Sequence, residues 1–133
     1  MDTEVTKPVE RFFTAFGQGD LDSLLETLHD DIVIDIAGPD SVPLYRTYHG
    51  KGEARQFIES LGGTFQTQQF NIQTLIGQDD TVMAAGVFKH MVIPTGKIFA
   101  SPWALHCEIK DDKIVHYRFY EDTAAAVAAF QTN

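Results

Sequence analysis

The chain reads as an α+β domain in which a curved antiparallel sheet wraps around helices from the first half of the sequence. Two observations predict this. Apolar residues recur at three- and four-residue steps up to Leu61, then alternate from Phe70 onward. A third is length: at 133 residues, roughly two thirds of the unfolded surface can be buried, enough for one core but not two. Residues 1–133 are therefore read as one domain.

Taken in order, Val5, Val9, Phe12, Phe13 and Phe16 share one face of a first helix, which Gly17 and Gly19 end. Asp20 suits an N-cap, and Leu21, Leu24, Leu25 and Leu28 draw the stripe of a second, short helix. Residues 32–37 form a short β-branched strand closed by Gly38 and Pro39, followed by a loop to Gly50 that holds Tyr45, Tyr48 and His49. Ala54, Phe57, Ile58 and Leu61 give a third helix, stopped by Gly62-Gly63. Phe70, Ile72, Thr74 and Ile76 then alternate as a strand, and three long strands follow at 81–93, 97–109 and 114–121, joined by turns at Thr95-Gly96 and Asp111-Asp112. Asp122-Thr123 caps a short last helix, 124–130.

The net charge of -9 arises from 19 acidic and 10 basic residues, and the basic ones are scattered singly. A phosphate-tracking surface is not expected, so nucleic acid is excluded as a partner. The single cysteine, Cys107, lies within a strand pattern and reads as a small buried hydrophobe suited to a reducing compartment. Asp2 and Glu4 stand where a signal peptide would carry positive charge, and no stretch approaches the ~20 apolar residues that span a bilayer. No membrane partner and a cytoplasmic location are the expectation. Gly50 and Gly52 lack the spacing and the following Lys of a phosphate loop, and His106 and His116 lack a third ligand at metal-binding spacing. No metal or cofactor is implied.

The strand register can be argued from which side chains share a face. A three-residue loop at Lys110-Asp111-Asp112 sets Trp103 opposite Phe119, Leu105 opposite Tyr117 and Cys107 opposite Val115, with His106 meeting His116 on the other side. A two-residue turn at Thr95-Gly96 sets Phe88 beside Trp103, Gly86 beside Leu105 and His90 beside Ser101. Two inward rows follow: an aromatic row of Phe88, Trp103 and Phe119, and a polar row of His90, Ser101 and Glu121 nearer the strand ends. Pro102, which lacks an N–H, argues for a bulge.

These patterns nominate catalytic candidates. Asp35 lies in an apolar strand, where burial would raise its pKa and make it a base near neutrality; the competing reading turns it away from the pocket, because Ile32, Ile34 and Ile36 have the opposite parity. Glu121 and His90 are the acid and the histidine on the inward parity of their strands, and could transfer a proton or orient a carbonyl. The competing reading leaves both solvated at the rim. Phe12, Phe16, Phe57, Phe88, Ser101, Trp103, Tyr117 and Phe119 are the expected ligand-binding residues.

Residues 11–22, Arg-Phe-Phe-Thr-Ala-Phe-Gly-Gln-Gly-Asp-Leu-Asp, followed by Leu28-His29-Asp30-Asp31, resemble the start of ketosteroid isomerase and its relatives in the nuclear transport factor two-like superfamily. The tail, 103–123, is similar to the SnoaL-like polyketide cyclase branch. The resemblance implies a cone-shaped, cystatin-like domain around one pocket, and a homodimer through the outer face of the sheet. The isomerase uses a carboxylate base with a Tyr and a protonated Asp as oxyanion donors. By the resemblance its Tyr falls on Phe12, its Asp at Trp103 or Ala104, and its base on Asp35 or Ile36 according to how the strands are matched. The acid of the cyclases falls on Phe119. One oxyanion donor is worth about 3 kcal/mol, so lacking both argues against steroid-type isomerisation. The expected function is a pocket protein for a small, mostly apolar molecule. It is either a proton-transfer enzyme of isomerase, cyclase or hydratase type acting on a carbonyl or ring compound, or a non-catalytic binding or dimerisation domain.

Overall fold

The computed structural model describes residues 4–132, so Asp2 lies outside it. Helix α1 (Lys7–Gln18) places Pro8 in its first turn, where a missing N–H costs nothing, and buries Val9, Phe12 and Ala15. Helix α2 (Leu21–Glu26) is capped by Asp20, whose carboxylate accepts the Ser23 N–H at 3.1 Å. It ends sooner than the leucine stripe suggests, because Leu28 already belongs to strand β1 (Leu28–Ile36). Strand β2 (Thr47–His49) occupies part of the expected loop. Its three residues are too short to show a period.

Helix α3 (Gly50–Thr64) runs through Gly62-Gly63 instead of stopping there. Glycine in a helix costs about 1 kcal/mol but removes no hydrogen bond, and the Phe65 N–H still reaches the Leu61 carbonyl. Strands β3 (Phe65–Gln78), β4 (Thr81–Val92), β5 (Ile98–Lys110) and β6 (Lys113–Glu121) follow, then α4 (Thr123–Phe130), capped by Asp122 as expected.

The six strands form one sheet in the order β2-β1-β6-β5-β4-β3. The α+β class stands, but the sheet is mixed: β1 runs parallel to β6, while the other neighbours are antiparallel. The parallel pair arises because the chain leaves β1, passes through β2, α3 and the three strands β3, β4 and β5, and returns to the edge of β1 that β2 leaves free. Among the described residues no helix is long and apolar enough to cross a membrane.

The inward face of the sheet matches the expected parity. Val82, Ala84, Phe88 and Val92 of β4 and Phe99, Leu105 and Cys107 of β5 are buried against the helices. The pairing itself is shifted by two residues at both hairpins. Between β4 and β5 the turn spans four residues, 93–96, closed by Val92 N–H to Lys97 O at 2.8 Å and Gly96 N–H to Val92 O at 2.7 Å. Phe88 therefore faces Ser101, Gly86 faces Trp103 and His90 faces Phe99. Between β5 and β6 a tight turn combines with a bulge at Val115, so Trp103 faces Glu121, Leu105 faces Phe119 and Cys107 faces Tyr117. The bulge lets Ile114 and Tyr117, three residues apart, both point inward. No bulge occurs at Pro102, which pairs in register with Val87. The β6 pairing begins only at Trp103, so β5 has β4 alone beside it at Pro102, an edge position that tolerates proline.

Gly86 is required where it stands. A Cβ there would lie 1.8 Å from the Asn71 carbonyl oxygen and 2.9 Å from the Trp103 ring. This close approach brings β3 and the Trp103 indole together behind the pocket wall.

Candidate functional site

Between the helices and the inward face of the sheet lies a pocket of about 730 Å³, within the range that small molecules occupy. Its walls are mostly rings: Phe12 and Phe16 from α1, Phe57 from α3, Phe70 from β3, Phe88 from β4 and Phe119 from β6. The polar groups facing the cavity between its margins are few. They are the buried Tyr45, His90 and Tyr117, the partly buried Glu121 and the exposed Thr67, and no Lys or Arg is among the described lining residues. Asp20 and Glu59 lie at the exposed margin.

Glu121 ends β6 with its side chain turned inward. The Tyr45 hydroxyl donates to Glu121 Oε2 at 2.6 Å. Tyr45 reaches it from the loop before β2 because its ring lies against the backbone of Gly38, where a Cβ would fall 2.1 Å from Tyr45 Cδ2. Burial pushes the Glu121 carboxyl above the usual carboxylate range, and the bond from Tyr45 opposes part of that rise. The Tyr45 hydroxyl is itself pushed up, first by burial and then by its bond to Glu121. The pair is a carboxyl whose proton affinity is raised by burial beside a phenol that stays protonated.

His90 is stacked between Phe65 and Phe88, with ring centroids 4.6 and 4.3 Å away, and its Nδ1 lies 3.0 Å from Thr67 Oγ1. Burial lowers its pKa to about 4, so the ring is neutral at pH 7. Tyr117 is 5% exposed. Its ring lies 5.1 Å from Phe12 and nearly parallel to Phe119 at 6.2 Å.

Of the sequence candidates, Phe12, Phe16, Phe57, Phe88, His90, Tyr117, Phe119 and Glu121 all line the pocket. Three do not. Asp35 points to the opposite face of the sheet from Ile34 and Ile36; Thr47 Oγ1 donates to it at 2.7 Å and His116 Nε2 lies 2.6 Å away. Those two bonds hold its carboxyl below the usual range, the reverse of the raised base expected. The pocket-facing neighbour is Ile36.

Ser101 shares the inward parity, but its hydroxyl is consumed locally. It donates to the Pro102 carbonyl at 2.6 Å and accepts the Asp122 N–H at 2.9 Å, tying β5 to the start of α4. Trp103 lies behind the wall, stacked on Phe70 at 5.1 Å and on Phe119 at 5.5 Å; its Nε1 is buried with no partner among the described residues. The expected rows of Phe88, Trp103 and Phe119 and of His90, Ser101 and Glu121 therefore do not form, because each hairpin slides by two residues.

His106 and His116 do share the outer face, but not as opposite neighbours. His106 faces Arg118 and His116 faces Glu108, and the Arg118 guanidinium lies 3.5 Å from one His and 3.4 Å from the other. Among the described residues no group of three His, Cys, Asp or Glu gathers as a metal ion would need.

Sequence reasoning missed Tyr45 and Thr67. Thr67 and Phe70, three residues apart, both face the pocket because a bulge falls between Thr67 and Gln69, and alternation alone does not show that bulge. Tyr45 carries no local signal either, since it meets Glu121 across 76 residues of chain.

A family model described as a SnoaL-like domain matches residues 9–117. No curated protein matches the chain. Among solved structures, an NTF2-like protein from Burkholderia xenovorans superposes with a TM-score of 0.90 at 24% identity, covering 98% of each chain. A proposed polyketide cyclase from Xanthomonas campestris pv. campestris gives a TM-score of 0.81 at 19% identity, covering 96% of this chain and 97% of the other. TerC, co-crystallised with polyporic acid, gives 0.83 at 16% identity, covering 96% of this chain and 98% of the other. At such identities the structural likenesses establish the fold. The family match spans most of the sequence, and the chain belongs to the SnoaL-like family.

Proposed function

We propose that the chain acts as one domain that binds a small, mostly apolar carbonyl or ring compound and transfers a proton on it, with Glu121 as the acid–base group. The supporting observation is the Glu121–Tyr45 pair: a partly buried carboxyl on the wall of an aromatic pocket, raised in pKa by loss of water and bonded at 2.6 Å to a phenol. A carboxylate raised in pKa is a stronger base than one left in water. His90, neutral and already engaged with Thr67, fits a wall and orienting role. Asp35 takes no part.

Exchange of solvent deuterium into the carbon next to the carbonyl of 1-tetralone, followed by proton NMR, tests the reading. The wild type is expected to accelerate exchange, with a rate that rises with pH as Glu121 ionises. Binding without exchange would favour a second reading, a carrier, which the apolar Phe12 supports by standing where the resemblance puts the isomerase's tyrosine.

A homodimer is part of the proposal. Ile76, Met83, Ile98 and Tyr120 are exposed on the outward face of the sheet, and sedimentation velocity would read the association. A reducing, cytoplasmic setting suits the buried thiol of Cys107.

A further inference from the structure

We infer that the Tyr117 hydroxyl is the donor that binds the carbonyl oxygen of an uncharged ring ketone in this pocket. The inference rests on the pocket reading above and assigns the second polar contact that reading lacks. Tyr117 is buried and lines the cavity, and its hydroxyl makes no hydrogen bond among the described residues. The Nε1 of Trp103 is the one fully enclosed side-chain polar atom found there without a partner, so the Tyr117 oxygen still has open space in front of it. A buried phenol normally finds a partner. Here the space beside it is the pocket.

The position suits the role. Tyr117 and Glu121 project from the same face of β6 on either side of Phe119, whose ring lies within 6° of parallel to that of Tyr117. Four residues of strand separate the two backbones by about 13 Å, a span that a flat conjugated compound lying on Phe119 can bridge. Phe12, at the position where the resemblance puts the isomerase's tyrosine, touches the Tyr117 ring at 5.1 Å. A phenol is thus still present in that neighbourhood, supplied by β6 instead of α1.

With no Lys or Arg among the described lining residues, an anionic ligand would be desolvated beside Glu121 without a counter-charge. The fitting ligand is therefore uncharged. Removal by Glu121 of a proton from a carbon conjugated to the carbonyl breaks the C–H bond, forms O–H on the carboxyl, and moves the electron pair to the carbonyl oxygen. The Tyr117 O–H meets the resulting enolate oxygen, and return of the proton to carbon restores the carboxylate. No oxidant or reductant is needed.

The test compares 2-acetylnaphthalene with 2-ethylnaphthalene, which has the same ring system without the carbonyl. The wild type is expected to bind the ketone about tenfold more tightly. Tyr117→Phe should lose that preference while keeping its affinity for 2-ethylnaphthalene, which also shows that the pocket is folded. The infrared carbonyl stretch of the bound ketone should rise toward its value in hydrocarbon solvent. Retention of both preference and stretch in Tyr117→Phe overturns the inference. Glu121→Gln separates the two claims: it should stop deuterium exchange and leave the Tyr117-dependent preference intact. If the wild type shows the preference but no exchange, proton transfer fails and the Tyr117 contact stands; if neither naphthalene binds the wild type, both fall.

Discussion

Asp35 and Glu121 sit on opposite faces of the same sheet and reach opposite electrostatic outcomes. Asp35 faces outward, where Thr47 and His116 bond to it and Arg118 Nε lies 3.8 Å from its carboxylate; the charged form is favoured and the pKa falls. Glu121 faces inward among rings with one phenol as its partner, and burial raises it. Residue type does not separate the two, since both are carboxylates on strands. The number of donors and the loss of water do.

The most demanding test of this contrast is activity. Glu121→Gln should reduce deuterium exchange into 1-tetralone by about 100-fold or more, in line with the usual worth of a general base, and Asp35→Asn by less than about threefold. Equal losses would dissolve the distinction between the faces.

A second test reads the inward face through stability. The folded pKa of His90 is lowered to about 4 from an unfolded value near 6.5, so its contribution is present above 6.5 and is lost as pH falls from 6.5 toward 4. Allowing for residual exposure, about 2–3 kcal/mol should disappear across that window in urea denaturation. His90→Asn should flatten the slope.

Tyr45→Phe sharpens the account of Glu121. The Tyr45 bond holds the carboxyl pKa down against burial, so its loss should move the pH–rate profile for exchange to higher pH while the limiting rate changes less than about tenfold. A purely structural role would lower the rate without moving the profile. The smallest effect is expected on the outer face. Asp35 is about one-third exposed, and Asp35→Asn should cost less than about 1 kcal/mol by urea denaturation.

Much of the fold was legible because it follows from period and capping. Asp20 and Asp122 announce α2 and α4 through side chains that satisfy first-turn N–H groups, and the alternation in β4, β5 and β6 sorts inward from outward residues. Strand pairing was not legible at the same resolution. A slip of two residues preserves which face every side chain occupies, so the apolar pattern that rules out a slip of one cannot detect it. The extra residue at Val115 and the longer 93–96 turn decided that register. Trp103 and Ser101 dropped from the pocket for the same reason: parity fixes the face, whereas packing behind Phe70 and Phe119, or a bond to Asp122, fixes access.

From sequence alone, the α+β class, the helix-covered inward face, most of the aromatic wall and the inward setting of Glu121 were determined, because each depends on local periodicity that burial enforces. The meeting of Tyr45 with Glu121, the outward anchoring of Asp35 by His116 and the open space before Tyr117 were decided only by tertiary structure. Each joins or leaves free groups that are far apart in the chain. A raised or lowered pKa follows from those neighbours, and local sequence does not name them.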